Sequence, residues 1–143
     1  MRRLALAIAV ALFAGLMVSS QERKEAAEFK VPPEEAKRAN PVKPEAASIA
    51  AGHHLYASQC AMCHGKDGDG KGDLAEPMKL KMRDWKDAGA LRDMTDGELF
   101  YILTKGKGEM PGQEDRLTAT QKWHMVNFIR SLARKAPPAK AQD

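Results

Sequence analysis

Cys60-Ala61-Met62-Cys63-His64 is the most informative stretch of this chain. Two cysteines three apart, followed at once by a histidine, form the attachment signature of a c-type haem. The spacing has a physical reason. Each thiol adds across one vinyl group, and the vinyls sit on neighbouring pyrroles. A short turn with two residues between the sulfurs spans that gap. The next side chain then lies over the ring, where an imidazole binds iron as the proximal ligand. Three other readings compete. A structural zinc site wants a second ligand pair, and the remaining histidines, His53, His54 and His124, come with no second cysteine pair. A redox dithiol wants a strand before it, and no strand-like run precedes Cys60. A disulfide between Cys60 and Cys63 is the third.

The chain has 143 residues and a formal net charge of +4. Residues 1–20 read as a secretory signal: Arg2 and Arg3, an apolar run from Leu4 to Val18, then Ser19-Ser20. The run is short for a bilayer span of about 20 residues, so cleavage is expected over an uncleaved anchor, and with it a periplasmic location. Export and haem attachment support each other. Loss of Arg2 and Arg3 takes the charge to +2, and two propionates bring it near zero. Whole-chain charge therefore gives no reason to expect nucleic acid.

Residues 21–45 are charged and interrupted by Pro32, Pro33, Pro41 and Pro44. They read as a flexible tether or as an arm over the domain; the prolines hinder a helical hairpin. A helix is expected from Ala46 or Ser48 to Ser58, with Ile49, Gly52 and Tyr56 on one face and Gly52 at a helix crossing. Residues 65–72 form a glycine-rich loop expected to pass close to the haem edge. It is no calcium loop, because the twelfth position from Asp67 is Met78 and not a glutamate. Residues 77–85 read as irregular. Thr95 and Glu98 form a capping box for a helix that Gly106 stops. Residues 106–112 then read as a loop carrying Met110-Pro111. Thr118 and Gln121 open a last helix with Trp123, Met125, Val126, Phe128, Ile129 and Leu132 on its apolar side, ended by Pro137-Pro138. The expected domain spans residues 46–136, with a tail at 137–143. No segment alternates at period two, so the fold class is all-α. About ninety residues make a small core, and a covalent haem at the centre offsets that shortage.

One histidine leaves the sixth iron position open. Met62 lies in the attachment turn itself, and Met125 falls at core spacing. Met110 is the expected ligand, because its glycine-flanked loop can lay a thioether on iron without breaking a helix. Met78 and Met82 compete, since they too lie in irregular chain. Met/His ligation raises the reduction potential.

With these residues in place, the chain resembles the class I c-type cytochromes, in particular the small bacterial monohaem domains that also occur as oxidase subunits. The resemblance covers about residues 48–133. It rests on Cys60-to-His64, Gly52 and Tyr56, Met110-Pro111 and the terminal W-x-x-x-x-F helix, Trp123 to Phe128. It implies a cytochrome c fold of three to five helices around one covalent haem c. Gly52 would meet the Phe128 side of the last helix, with Trp123 in the same interface. A backbone carbonyl, at Pro77 or Leu80, would accept from His64. Trp85 resembles the aromatic that closes over the haem propionates, with plain core packing as the alternative and Arg83 as a weaker propionate partner.

The expected function is one-electron transport without substrate chemistry, in a monomer exchanging electrons with redox proteins, a membrane respiratory complex among them. No small-molecule substrate is expected. Lys66, Lys71, Lys105 and Lys107 flank the haem-edge loops and could steer an acidic partner. The alternatives are a haem sensor or enzyme with an exchangeable distal ligand, and a haem module docked to a membrane oxidase or dehydrogenase.

Overall fold

The computed structural model describes residues 29–135, with side chains up to Ala133. The expected signal over residues 1–20, the arm before Phe29 and the tail at 137–143 lie outside the described residues. The compact unit that carries the helices begins at Val31.

Helix α1 is a single turn, Pro33–Ala36. Pro33 stands at its first position, where a missing N–H costs nothing. Helix α2 spans Ala46–Gln59 and buries Ser48, Gly52 and Tyr56, each four residues after the last. Helix α3 is the turn Ala61–His64. Helix α4 runs Asp96–Lys105 behind the complete Thr95/Glu98 capping box and stops at Gly106. Helix α5 is Ala119–Lys135, entered through reciprocal bonds: the Thr118 amide donates to Gln121 Oε1 at 2.8 Å, and the Gln121 amide to Thr118 Oγ1 at 3.2 Å.

The expected loop after α4 is a small antiparallel hairpin. Strand β1, Gly106–Lys107, pairs with β2, Met110–Pro111. Strands of two residues are too short for alternation to show in sequence. The class remains all-α.

Helices α2 and α5 cross at Gly52. A Cβ there would overlap the His124 carbonyl and stand 2.8 Å from the Cβ of Phe128. Only hydrogen allows that approach. Beside the crossing, Tyr56 and His53 each lie 5.0 Å from the Phe128 ring. Tyr56, Phe128 and Leu132 form one buried cluster. A larger one gathers Leu91, Leu99, Phe100, Leu103, Leu117, Trp123, Met125, Val126 and Ile129. Trp123 is a correction to the expected interface. Its ring stacks on Phe100 of α4 at 4.1 Å, because it lies five residues before Phe128, more than a full turn and so on a different side of α5.

Residues 31–45 of the arm lie over the domain. Thr95 Oγ1 donates to the Ala36 carbonyl at 2.6 Å. Gly97 leaves room for that turn, since a Cβ would overlap the Glu35 carbonyl. Arg38 covers the Phe100 ring at 4.5 Å. Buried Asn127 of α5 anchors the rest. Its Nδ2 donates to Val42 O at 3.0 Å, Lys43 O at 3.3 Å and Ser48 Oγ at 2.8 Å, and its Oδ1 accepts from Asn40 at 2.8 Å.

Candidate haem site

Cys60 is the hinge of the site. Its amide donates to Tyr56 O at 2.9 Å and closes α2, while its carbonyl accepts from Cys63 N and His64 N at 3.1 and 2.9 Å and opens α3. Two thiols and an imidazole are thereby carried on one helical turn. Both cysteines are free and half-buried. Cys60 packs against both core clusters. Burial, with a smaller contribution from Cys63, pushes its thiol up to about 12. Burial pushes His64 down to about 4, so its imidazole is neutral at neutral pH and offers a lone pair to a metal.

The glycine loop folds back on this turn. Gly70 N donates to His64 O at 2.9 Å, Gly72 N to Cys63 O at 3.3 Å and Leu74 N to Met62 O at 2.9 Å. Farther along, Trp85 N donates to Gly68 O at 2.8 Å, which brings the indole to the site. Trp85 stacks on His64 with centroids 4.3 Å apart and 18° between planes. It also packs against both core clusters, so core packing is part of its role. His64 Nδ1 is buried without a hydrogen-bond partner; neither Pro77 nor Leu80 supplies one. Tyr56 donates to Gly65 O at 2.5 Å. Burial is the main cause that raises its phenol above the usual range, with lesser contributions from Cys60, Asp69 and Asp67.

Met110 is half-buried on β2 and packs against the larger cluster, which Cys60 and Trp85 also border. The other methionines of the described residues separate. Met62 and Met78 are 56% and 51% exposed, and Met125 is fully enclosed in the core. Met82 is half-buried. Met94 packs on the larger cluster, and its sulfur lies 3.5 Å from Arg83 Nη1, which also donates to Ala90 O at 2.5 Å. Of the flanking lysines, Lys66 pairs with Asp67 at 3.2 Å and Lys105 with Glu114 at 2.5 Å. Sequence reasoning missed Gln113, 4% exposed with its Oε1 unpartnered. It also missed the Trp85–His64 stack and the Tyr56–Gly65 bond. No spacing rule flags a glutamine in a loop, and both contacts depend on how the glycine loop returns.

The donor set fits a covalently attached haem. It offers two thiols at the required spacing, a neutral imidazole beside the second, and a thioether bordering the same apolar cluster. Among the described residues, no group of three or more His, Cys, Asp or Glu side chains is gathered to hold a metal ion.

Two comparisons bear on this arrangement. Residues 47–129 match the family described as cytochrome c oxidase, cbb3-type, subunit III. A chain of the reducing HAO-like protein complex of Kuenenia stuttgartiensis shares the fold, with a TM-score of 0.59 at 22% identity. That likeness covers 78% of this chain and 54% of the other, so this chain spans about half the length of its structural neighbour.

Proposed function

The chain belongs to the c-type cytochrome family of the cbb3-type oxidase subunit III, and on that premise we propose that it is a periplasmic one-electron carrier with a single haem bound by Cys60 and Cys63 and ligated by His64 and Met110. Membership itself implies haem c and electron transfer. The bound group supplies an iron that changes by one electron with little rearrangement. The protein does the rest. Cys60 and Cys63 tether, His64 offers a neutral nitrogen, and Met110 offers a soft sulfur that favours the reduced state. The apolar clusters exclude water and lower the local dielectric. No substrate bond is made or broken.

The observation that carries this reading is the turn Ala61–His64 with its cap Cys60, which carries both thiols and the imidazole, Cys60 packed on the core and His64 stacked on Trp85. Arg2, Arg3 and the apolar run after them support the location. The family's description supports a respiratory redox partner, with the domain working as a monomer or as a module docked to a membrane oxidase. The test is an absorption spectrum of the purified protein in both redox states, with Met110→Ala beside Met82→Ala. Met110→Ala is expected to abolish the weak far-red sulfur-to-iron band, lower the reduction potential and admit carbon monoxide to ferrous iron. The same changes in Met82→Ala instead would move the ligand to residue 82.

A further inference from the structure

A ligand imidazole can turn about its Cβ–Cγ bond unless something holds it. The usual restraint is a hydrogen bond from the second ring nitrogen to a carbonyl or carboxylate, which fixes both tautomer and plane. Here the second nitrogen is buried and makes no such bond to any of the described residues. What meets the ring is the face of an indole. The Trp85 and His64 planes are 18° apart at 4.3 Å, close enough that rotation of the imidazole about its bond would drive it into the indole.

The indole is itself held. Its backbone amide is bonded to Gly68 O at 2.8 Å, which ties it to the loop that returns onto α3. The Tyr56 ring stands 6.1 Å away at 57°, and Tyr56 is fixed by its bond to Gly65 O and by Phe128. Gly68 sits between the indole and α5. A Cβ placed on it would lie 3.5 Å from Trp85 Cε3 and 2.6 Å from Leu132 Cδ1. The ring plane of His64 is thus referred, through Trp85 and Tyr56, to the crossing of α2 and α5.

We propose that Trp85 is a positioning residue for electron transfer, its stacked indole setting the plane of the His64 imidazole in place of a hydrogen-bonded acceptor. This rests on His64 being an iron ligand, as the proposed function has it. Imidazole orientation governs overlap with the iron d orbitals, so it is read directly in the ferric spectrum and in the reduction potential.

The experiment uses the haem-loaded protein with Trp85→Phe and Trp85→Leu. Covalent haem content and the far-red band of the unaltered protein come first. Absence of covalent haem overturns the proposed function and this inference with it; absence of the far-red band alone overturns the Met110 ligand and leaves this inference standing. With those in place, the unaltered protein and Trp85→Phe are expected to give one narrow low-spin electron paramagnetic resonance species with the same largest g value. Trp85→Leu is expected to give a shifted or broadened largest g value and a shifted midpoint potential at unchanged haem content. A Trp85→Leu spectrum superimposable on the unaltered one would overturn the proposal, as would a Trp85→Phe spectrum displaced as far as that of Trp85→Leu. Should Trp85→Leu fail to accumulate, the haem methyl proton shifts of the unaltered ferric protein decide. A widely spread pattern from one fixed ring plane supports the proposal, and a compressed pattern from a rotating ring overturns it.

Discussion

Tyr56 is fully enclosed, and its hydroxyl has one partner, the Gly65 carbonyl. That carbonyl also accepts from the Gly68 amide, so Tyr56→Phe leaves it satisfied and is expected to cost about 1 kcal/mol in denaturant unfolding. The phenol also sets a pH dependence. Its folded pKa is raised, while the unfolded phenol ionises near about 10. Above that pH the unfolded chain has released a proton that the fold retains. Stability contributed by this group is therefore complete below about 10 and falls as pH rises. Tyr56→Phe should flatten that alkaline decline. Gly52→Val forces Cβ and two methyls into the His124 carbonyl and Phe128. It is expected to cost at least about 2 kcal/mol, and a melting temperature equal to the parent's would contradict the crossing. Gln113 carries an unpartnered buried oxygen. Replacing it by leucine removes that burden without leaving a partner behind, so thermal unfolding should occur at the same or a higher temperature. Gly52 was legible in the sequence because a glycine inside a helix has few reasons to be there. Gln113 was not, because burial of a loop polar group depends on contacts that no local pattern encodes.

The capping boxes could be read in advance because four residues contain the whole motif. They are not equivalent in the structure. Thr95 Oγ1 accepts from Glu98 N at 3.1 Å and also donates to Ala36 O, whereas among the described residues Thr118 Oγ1 has the single bond from Gln121 N. Each Thr→Ala change should cost about 1 kcal/mol for the cap. Thr95→Ala should exceed Thr118→Ala in chemical denaturation, because it also releases α1. The hairpin and α1 were not legible. Two-residue strands carry no periodicity, and the turn at Pro33 owes its place to Gly97 and Thr95, some sixty residues away. The attachment turn could be read because covalent chemistry fixes its spacing. The stack of Trp85 on its histidine could not, since twenty residues of turns intervene.

Across the molecule, Asn127 of α5 is joined by side-chain bonds to two other segments, the arm and α2. Asn127→Ala leaves the Val42 and Lys43 carbonyls and Asn40 without that partner. Its expected signature is faster amide exchange and earlier proteolytic cutting over residues 31–43, with the haem spectrum unchanged. Equal exchange in the arm would show that the prolines and Arg38 hold it unaided. The burial of Cys60 bears on how the protein is made. A thiol reacts through its thiolate, and in the finished fold this one sits between two helices with its ionisation pushed up to about 12. With Cys60 as the proposed attachment point, thioether formation is expected to be faster on the unfolded chain than on the folded one, where this thiol is half-buried and raised in pKa.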